Sequence, residues 1–160
     1  MKKAIWALFL ALSLALGAAP RAAIPFSGKT LDGQPFDLKP MLGKTPIFLH
    51  FWASHCPPCL IEGKEIEPIH QRFKGRIAFI AVDVQDPPKM AAFRVREWGW
   101  TFPVVVDYYA DVARAYGVRA LPTSVFIDRA GRVVKVWTGM LIYNGRDGLT
   151  PLLKELLNAP

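Results

Sequence analysis

The two cysteines of this chain, Cys56 and Cys59, stand with only Pro57 and Pro58 between them. An apolar run, Ile47 to Trp52, leads into Phe51-Trp52-Ala53-Ser54-His55-Cys56, and a helix-patterned segment follows. A strand that ends at a Cys-x-x-Cys opening a helix is the geometry of a redox site. Free N–H groups and the positive end of the helix dipole both lower the pKa of a thiol placed there. The two prolines fall in the first turn, where an N–H has no intrahelical partner to lose. The pattern makes Cys56 the N-cap and exposed nucleophile, and Cys59, one turn in, the shielded resolving thiol. Cysteines this close enclose almost no chain, so a bond between them adds little stability. They are present for chemistry.

Other uses of the pair are less well supplied. Zinc would need two further ligands, and His50, His55 and His70 are the only histidines. His55 beside both thiols suits a soft cation such as Cu(I), which leaves a copper-binding chaperone as the alternative. Peroxide reduction is a third reading, although a peroxidatic cysteine needs no resolving partner three residues on.

The first residues belong to a different problem. Lys2 and Lys3 precede an apolar run from Ala4 to Ala19, interrupted only by Ser13 and followed by Pro20 and Arg21. Residues 1–23 therefore read as a signal peptide or N-terminal membrane anchor, and residues 24–160 as one domain. Export places that domain outside the cytoplasm, in a periplasm or on the outer face of the membrane. Setting aside Lys2, Lys3 and Arg21 lowers the formal charge from +7 to +4. With no basic run, nothing points to nucleic acid.

Beyond the leader, Ser27-Gly28, Asp32-Gly33, Gln34-Pro35 and Gly43-Lys44 are turn signals, with short extended pieces such as Phe36-Asp37-Leu38 between them. Pro46 to Trp52 is apolar on both faces, as a covered central strand should be. From Pro57 the pattern predicts a helix to about Phe73, ended by Gly75. Cys59, Glu62, Ile66, Ile69 and Phe73 fall on one face of it. Glu62 is thus a carboxyl on the apolar side, one turn from the resolving thiol. Burial there raises a carboxyl pKa and suits it to accept the proton of Cys59. Leu60 and Ile61 lie off the stripe, available either as a docking rim or for cover by other elements.

The remaining elements alternate. Arg76 to Val84 reads as a strand, Lys89 to Trp98 as a helix, Phe102 to Asp107 as a strand and Ala110 to Tyr116 as a short helix. Ser124 to Asp128 turns through Arg129-Ala130-Gly131 into Val133 to Trp137, and Asp147 to Leu157 forms a final amphipathic helix. This order means α/β, with a mostly parallel centre and an antiparallel edge. Trp52, Trp98, Trp100 and Trp137 are expected in packing, with Trp52 close enough to line the site.

Taken together, Leu31-Asp32-Gly33, Phe51-Trp52-Ala53-Ser54 before Cys56-Pro57-Pro58-Cys59, Glu62, and Tyr116-Gly117-Val118-Arg119-Ala120-Leu121-Pro122-Thr123 carry a resemblance. The chain resembles the thioredoxin-fold thiol–disulfide oxidoreductases of the TlpA/ResA/CcmG-like group, which serve cytochrome c maturation. The likeness runs from about Phe26 to Leu157. It implies a thioredoxin-like fold, a central mixed sheet flanked by helices, with an extra helix–strand insertion that residues 85–106 can supply. It implies that Cys56 attacks, that Cys59 resolves, and that Pro122 is the cis-proline packed beside the disulfide. Glu62 matches the group's acidic residue, while Trp52, His55, Pro57, Pro58 and Leu121 would tune the couple or face the substrate. Two departures stand out: His55 where the group commonly has Trp, and Lys64 where it usually has Pro.

The implied substrates are disulfides of apocytochrome c or of a copper-site assembly protein. A membrane thiol reductant would supply electrons to a monomer that needs no cofactor beyond its own dithiol. Pro57 and Pro58 remove two N–H groups from the turn facing Cys56, which weakens stabilisation of its thiolate and predicts a reductant.

Overall fold

Residues 21–159 are described in the computed structural model, so the expected leader lies outside them except for its last three residues. Those three are folded. Arg21–Ala22 form a two-residue strand, β1, Ala23 is buried, and its N–H donates to Gly131 O at 2.9 Å. The folded domain thus includes Arg21 to Ala23, which the sequence grouped with the leader.

The chain continues through a hairpin of β2 (Ser27–Lys29) and β3 (Pro35–Asp37) to the central strand β4 (Ile47–Trp52). Then come α1 (Pro57–Phe73), β5 (Ala78–Val84), α2 (Pro88–Trp98), β6 (Val104–Asp107) and α3 (Asp111–Tyr116). An antiparallel pair, β7 (Thr123–Ile127) and β8 (Arg132–Thr138), follows. A small hairpin, β9 (Ile142–Tyr143) and β10 (Arg146–Asp147), leads into α4 (Leu149–Asn158).

The main sheet has the order β1-β8-β7-β4-β5-β6. Its β4, β5 and β6 run parallel, and β7 is antiparallel to β4. This is the expected mixed sheet, with α2 and β6 as the helix–strand insertion. Alternation along β4 explains its all-apolar reading: Phe48 and Trp52 join one buried cluster, and Ile47, Leu49 and Phe51 the other. Helices α1 and α4 cover the first face. The second is covered by α3 and the N-terminal segment around Phe26, Phe36 and Leu38. Because β4, β5 and β6 share a direction, the loops after them lie along one edge of the sheet, where α/β folds place their sites.

Several boundaries differ from the sequence reading. Arg76 and Ile77 remain in the turn before β5, Phe102 and Pro103 precede β6, and α4 starts at Leu149 rather than Asp147. Trp137 is not packed inside: it is 41% exposed on β8. The β9–β10 hairpin was not foreseen, although Asn144-Gly145 is a strong two-residue turn signal. Both residues adopt the left-handed backbone that such a turn requires, with φ of 50° and 73°.

The insertion packs tightly on α1. A Cβ at Gly63 would come within 2.6 Å of the Trp98 ring, which is itself held against Trp52 and Trp100 at ring-centre distances of 5.1 and 5.0 Å. Alanine at a helix interior ordinarily gains about 0.5–1 kcal/mol over glycine. Overpacking costs about 1–3 kcal/mol. Gly63→Ala is therefore expected to destabilise the fold in urea unfolding, and Gly63→Val to do so further. An alanine variant as stable as the parent would mean that the Trp98 ring yields freely.

Candidate active site

Helix α1 begins directly after Cys56, whose extended backbone (φ −99°, ψ 105°) makes it the N-cap. Pro57 and Pro58 occupy the first two helical positions. The first N–H after them, that of Cys59, donates to Cys56 Sγ at 3.3 Å. Cys56 and Cys59 are joined in a disulfide. In this bonded form Cys56 is 8% exposed, against 1% for Cys59. Joined to Cys59 in the apolar cluster under α1, Cys56 is nearly buried yet remains the more exposed of the two.

Glu62 sits one turn beyond Cys59 on the same buried face and is 1% exposed. Its Oε1 accepts N–H donors from Leu141 at 2.6 Å and Ile142 at 3.1 Å. Its Oε2 has no hydrogen-bond partner among the described residues. Burial pushes the carboxyl up to about 7, and the two backbone donors oppose that shift without cancelling it. Nothing in the local sequence announces those donors, because they come from the entry to β9, some eighty positions away.

The other residues singled out by the sequence divide into surface and support. Trp52 is fully buried, so it supports the site from behind and does not face a substrate. Pro57 is exposed and Pro58 half-buried at the helix entrance. The Leu121–Pro122 peptide bond is cis. Pro122 is buried and Leu121 half-buried against the cluster that holds both cysteines. His50 is buried on β4 with Nδ1 3.2 Å from Ser124 Oγ, and burial lowers its pKa to about 3. His70 packs between Phe79 and Phe102, with Nδ1 3.4 Å from Glu67 Oε1.

His55 is 61% exposed, and its Nδ1 lies 3.8 Å from Asp86 Oδ1. No group of three or more His, Cys, Asp or Glu side chains is placed to hold a metal ion among the described residues. Asp86 escaped the sequence reading. It is fully buried after β5 and accepts both the backbone N–H and, at 2.7 Å, the hydroxyl of Ser54. An acidic residue between a strand end and Pro87-Pro88 was its only local signal.

Of the two apolar residues beyond the disulfide, Leu60 is half-buried and Ile61 is 51% exposed. Ile61 borders a groove of about 490 Å³ between α1 and the β9–β10 hairpin, where Pro68, Ile69, Ile142 and Tyr143 are interleaved with the charged Lys64, Glu65, Arg72, Arg146 and Asp147. A groove of mixed apolar and charged lining that starts at Ile61, two residues beyond Cys59, can take an extended polypeptide. No helix among the described residues is long and apolar enough to cross a membrane.

Comparison with known proteins gives a consistent result. The AhpC/TSA family model matches residues 19–136. The thiol-disulfide oxidoreductase ResA of Halalkalibacterium halodurans is 36% identical over 125 residues, which cover 78% of this chain and 70% of that protein. ResA of Geobacillus thermodenitrificans is 38% identical over 114 residues, covering 69% and 64%. The chain thus spans about two thirds of the length of these relatives. Among solved structures, a candidate thiol:disulfide interchange protein DsbE from Chlorobium tepidum superposes with a TM-score of 0.76 at 25% identity, covering 86% of this chain and 96% of that one.

Proposed function

The chain belongs to the AhpC/TSA family, and within it to the ResA-like thiol–disulfide oxidoreductases, and from that premise we propose that it works outside the cytoplasm as a reductant of protein disulfides. The Cys56 thiolate attacks one sulfur of a substrate disulfide. That S–S bond breaks, one substrate sulfur leaves as thiolate, and a mixed disulfide with Cys56 forms. Cys59 passes its proton toward Glu62 and attacks the Cys56 sulfur, releasing the second substrate thiolate. The substrate gains two electrons and the protein ends as the Cys56–Cys59 disulfide. A membrane thiol reductant restores the dithiol. The substrates are disulfides of apocytochrome c or of a copper-site assembly protein, a reading supported by the ResA likeness and by the groove of mixed apolar and charged lining that begins at Ile61.

The observation that carries the direction is the single Cys59 N–H on Cys56 Sγ. A charge-assisted hydrogen bond to a thiolate is worth about 1.5–3 kcal/mol, and about 30 mV corresponds to about 1.4 kcal/mol for a two-electron couple. With Pro57 and Pro58 donating nothing, the reduced form lacks stabilisation that an oxidant would have. Equilibration with glutathione buffers is expected to place the couple nearer thioredoxin, at about −270 mV, than DsbA, at about −120 mV. A value on the DsbA side of their midpoint would refute the reductase. Stoichiometric copper retained after purification under reducing conditions would favour the copper chaperone instead.

A further inference from the structure

Behind the turn that carries Cys56 lies a second acid site, separate from Glu62. Asp83, the last residue but one of β5, pairs in register with Trp52 of β4. Residues paired across strands share a face, so the Asp83 carboxyl lies on the Trp52 side of the sheet. Asp83 is fully buried. Neither of its oxygens, nor Trp52 Nε1, meets a donor or acceptor partner among the described residues. Asp86, three residues on and equally buried, has the opposite status. Its two oxygens accept the N–H and hydroxyl of Ser54, and His55 Nδ1 lies 3.8 Å from Oδ1.

We propose that Asp83 and Asp86 form a buried acid pair that holds one proton and positions the Ser54–His55–Cys56 turn, so that the reactivity of Cys56 depends on that proton. Asp86 is the ionised member, since both of its oxygens already accept hydrogen bonds. Asp83 carries the proton: a donorless buried carboxylate is costly, and the neighbouring Asp86 charge adds to the cost. Burial first, then the neighbouring Asp86 carboxylate, then the Asp107 charge, push Asp83 up to about 8. The titratable groups around the pair are Asp107, which caps α3 through Val112 N and Ala113 N, and His55 on the far side of Asp86. Losing the proton leaves two buried carboxylates side by side. Asp86 is then driven off Ser54, and the turn that presents Cys56, fastened otherwise by Cys56 N donating to Ala53 O at 3.2 Å, loosens. Asp83 and Asp86 touch no sulfur in this scheme; they are positioning residues.

The inference rests on Cys56 as the attacking thiol, and the test separates the two. In full-length chains carrying Cys59→Ser and Glu62→Gln, one thiol, the acid pair and His55 remain near the turn, His55 being common to every chain compared. Thiolate absorbance against pH is expected to follow a curve broader than a single proton, because Cys56 and Asp83 ionise against each other. Adding Asp83→Asn is expected to narrow it to a one-proton curve with its midpoint at lower pH. Superimposable curves would overturn the pair, and a purely packing role for Asp83 would leave the width unchanged. Should Asp83→Asn fail to fold, infrared spectra of the Cys59→Ser, Glu62→Gln chain decide. A protonated carboxyl band must persist at pH 7 and bleach as pH passes about 8. Its absence at pH 7 would end the proposal. A lone Cys56 thiol inert toward substrate disulfides would bring down the attacking-thiol assignment itself, a result distinct from either.

Discussion

Replacing Cys59 with serine is expected to leave a stable mixed disulfide between Cys56 and a protein substrate, and replacing Cys56 is expected to leave none. The asymmetry follows from position on the helix. Cys56 is the N-cap, the more exposed of the two, and its sulfur alone accepts the Cys59 N–H. Cys59 is 1% exposed on the inward face of α1, where an incoming disulfide cannot align with it. Turnover should fall by orders of magnitude in both variants, since each thiol performs a step that the other cannot. Only the Cys59→Ser chain should accumulate a covalent adduct on a non-reducing gel, with mass spectrometry locating the bond at Cys56. An adduct that accumulates on Cys59 in the Cys56→Ser chain would reverse the two roles.

Glu62→Gln is expected to change the pH dependence of stability by a comparable margin. The Glu62 carboxyl titrates at about 7 when folded, against 4.5 for an ordinary glutamate. Below pH 4.5 it is protonated in both states and costs nothing. As pH rises towards 7 the folded chain holds a proton that the unfolded chain has released, so stability falls across that window. At about 1.36 kcal/mol per unit, the loss approaches about 3 kcal/mol above pH 7. Glutamine keeps an oxygen for the Leu141 and Ile142 N–H groups and cannot ionise. Its urea-unfolding stability should match the parent near pH 4 and exceed it by up to about 3 kcal/mol at pH 8. Thiol exchange should slow, because the proton acceptor for Cys59 is gone. Parallel stability curves for parent and variant across that range would show that Glu62 does not titrate in it.

The two acids mark where local reading stops. Glu62 was legible because the spacing of Cys59, Glu62, Ile66, Ile69 and Phe73 is a property of one helix, and a helix fixes its faces by its own period. For the same reason β4, the N-cap role of Cys56 and the missing N–H groups of Pro57 and Pro58 could be read residue by residue. The alternation of strands and helices also sufficed for the mixed sheet. Tertiary structure decided what surrounds these groups. It brought the Leu141 and Ile142 N–H groups to Glu62, placed Cys56 with Cys59 in the apolar cluster, and put Trp52 behind the site. It also set Asp86 against Ser54 and left Asp83 donorless beside it. Hydrogen-bond partners and burial depend on segments thirty to eighty positions apart meeting at one point. Such meetings follow from packing across the sheet, and no periodicity within a single segment encodes them.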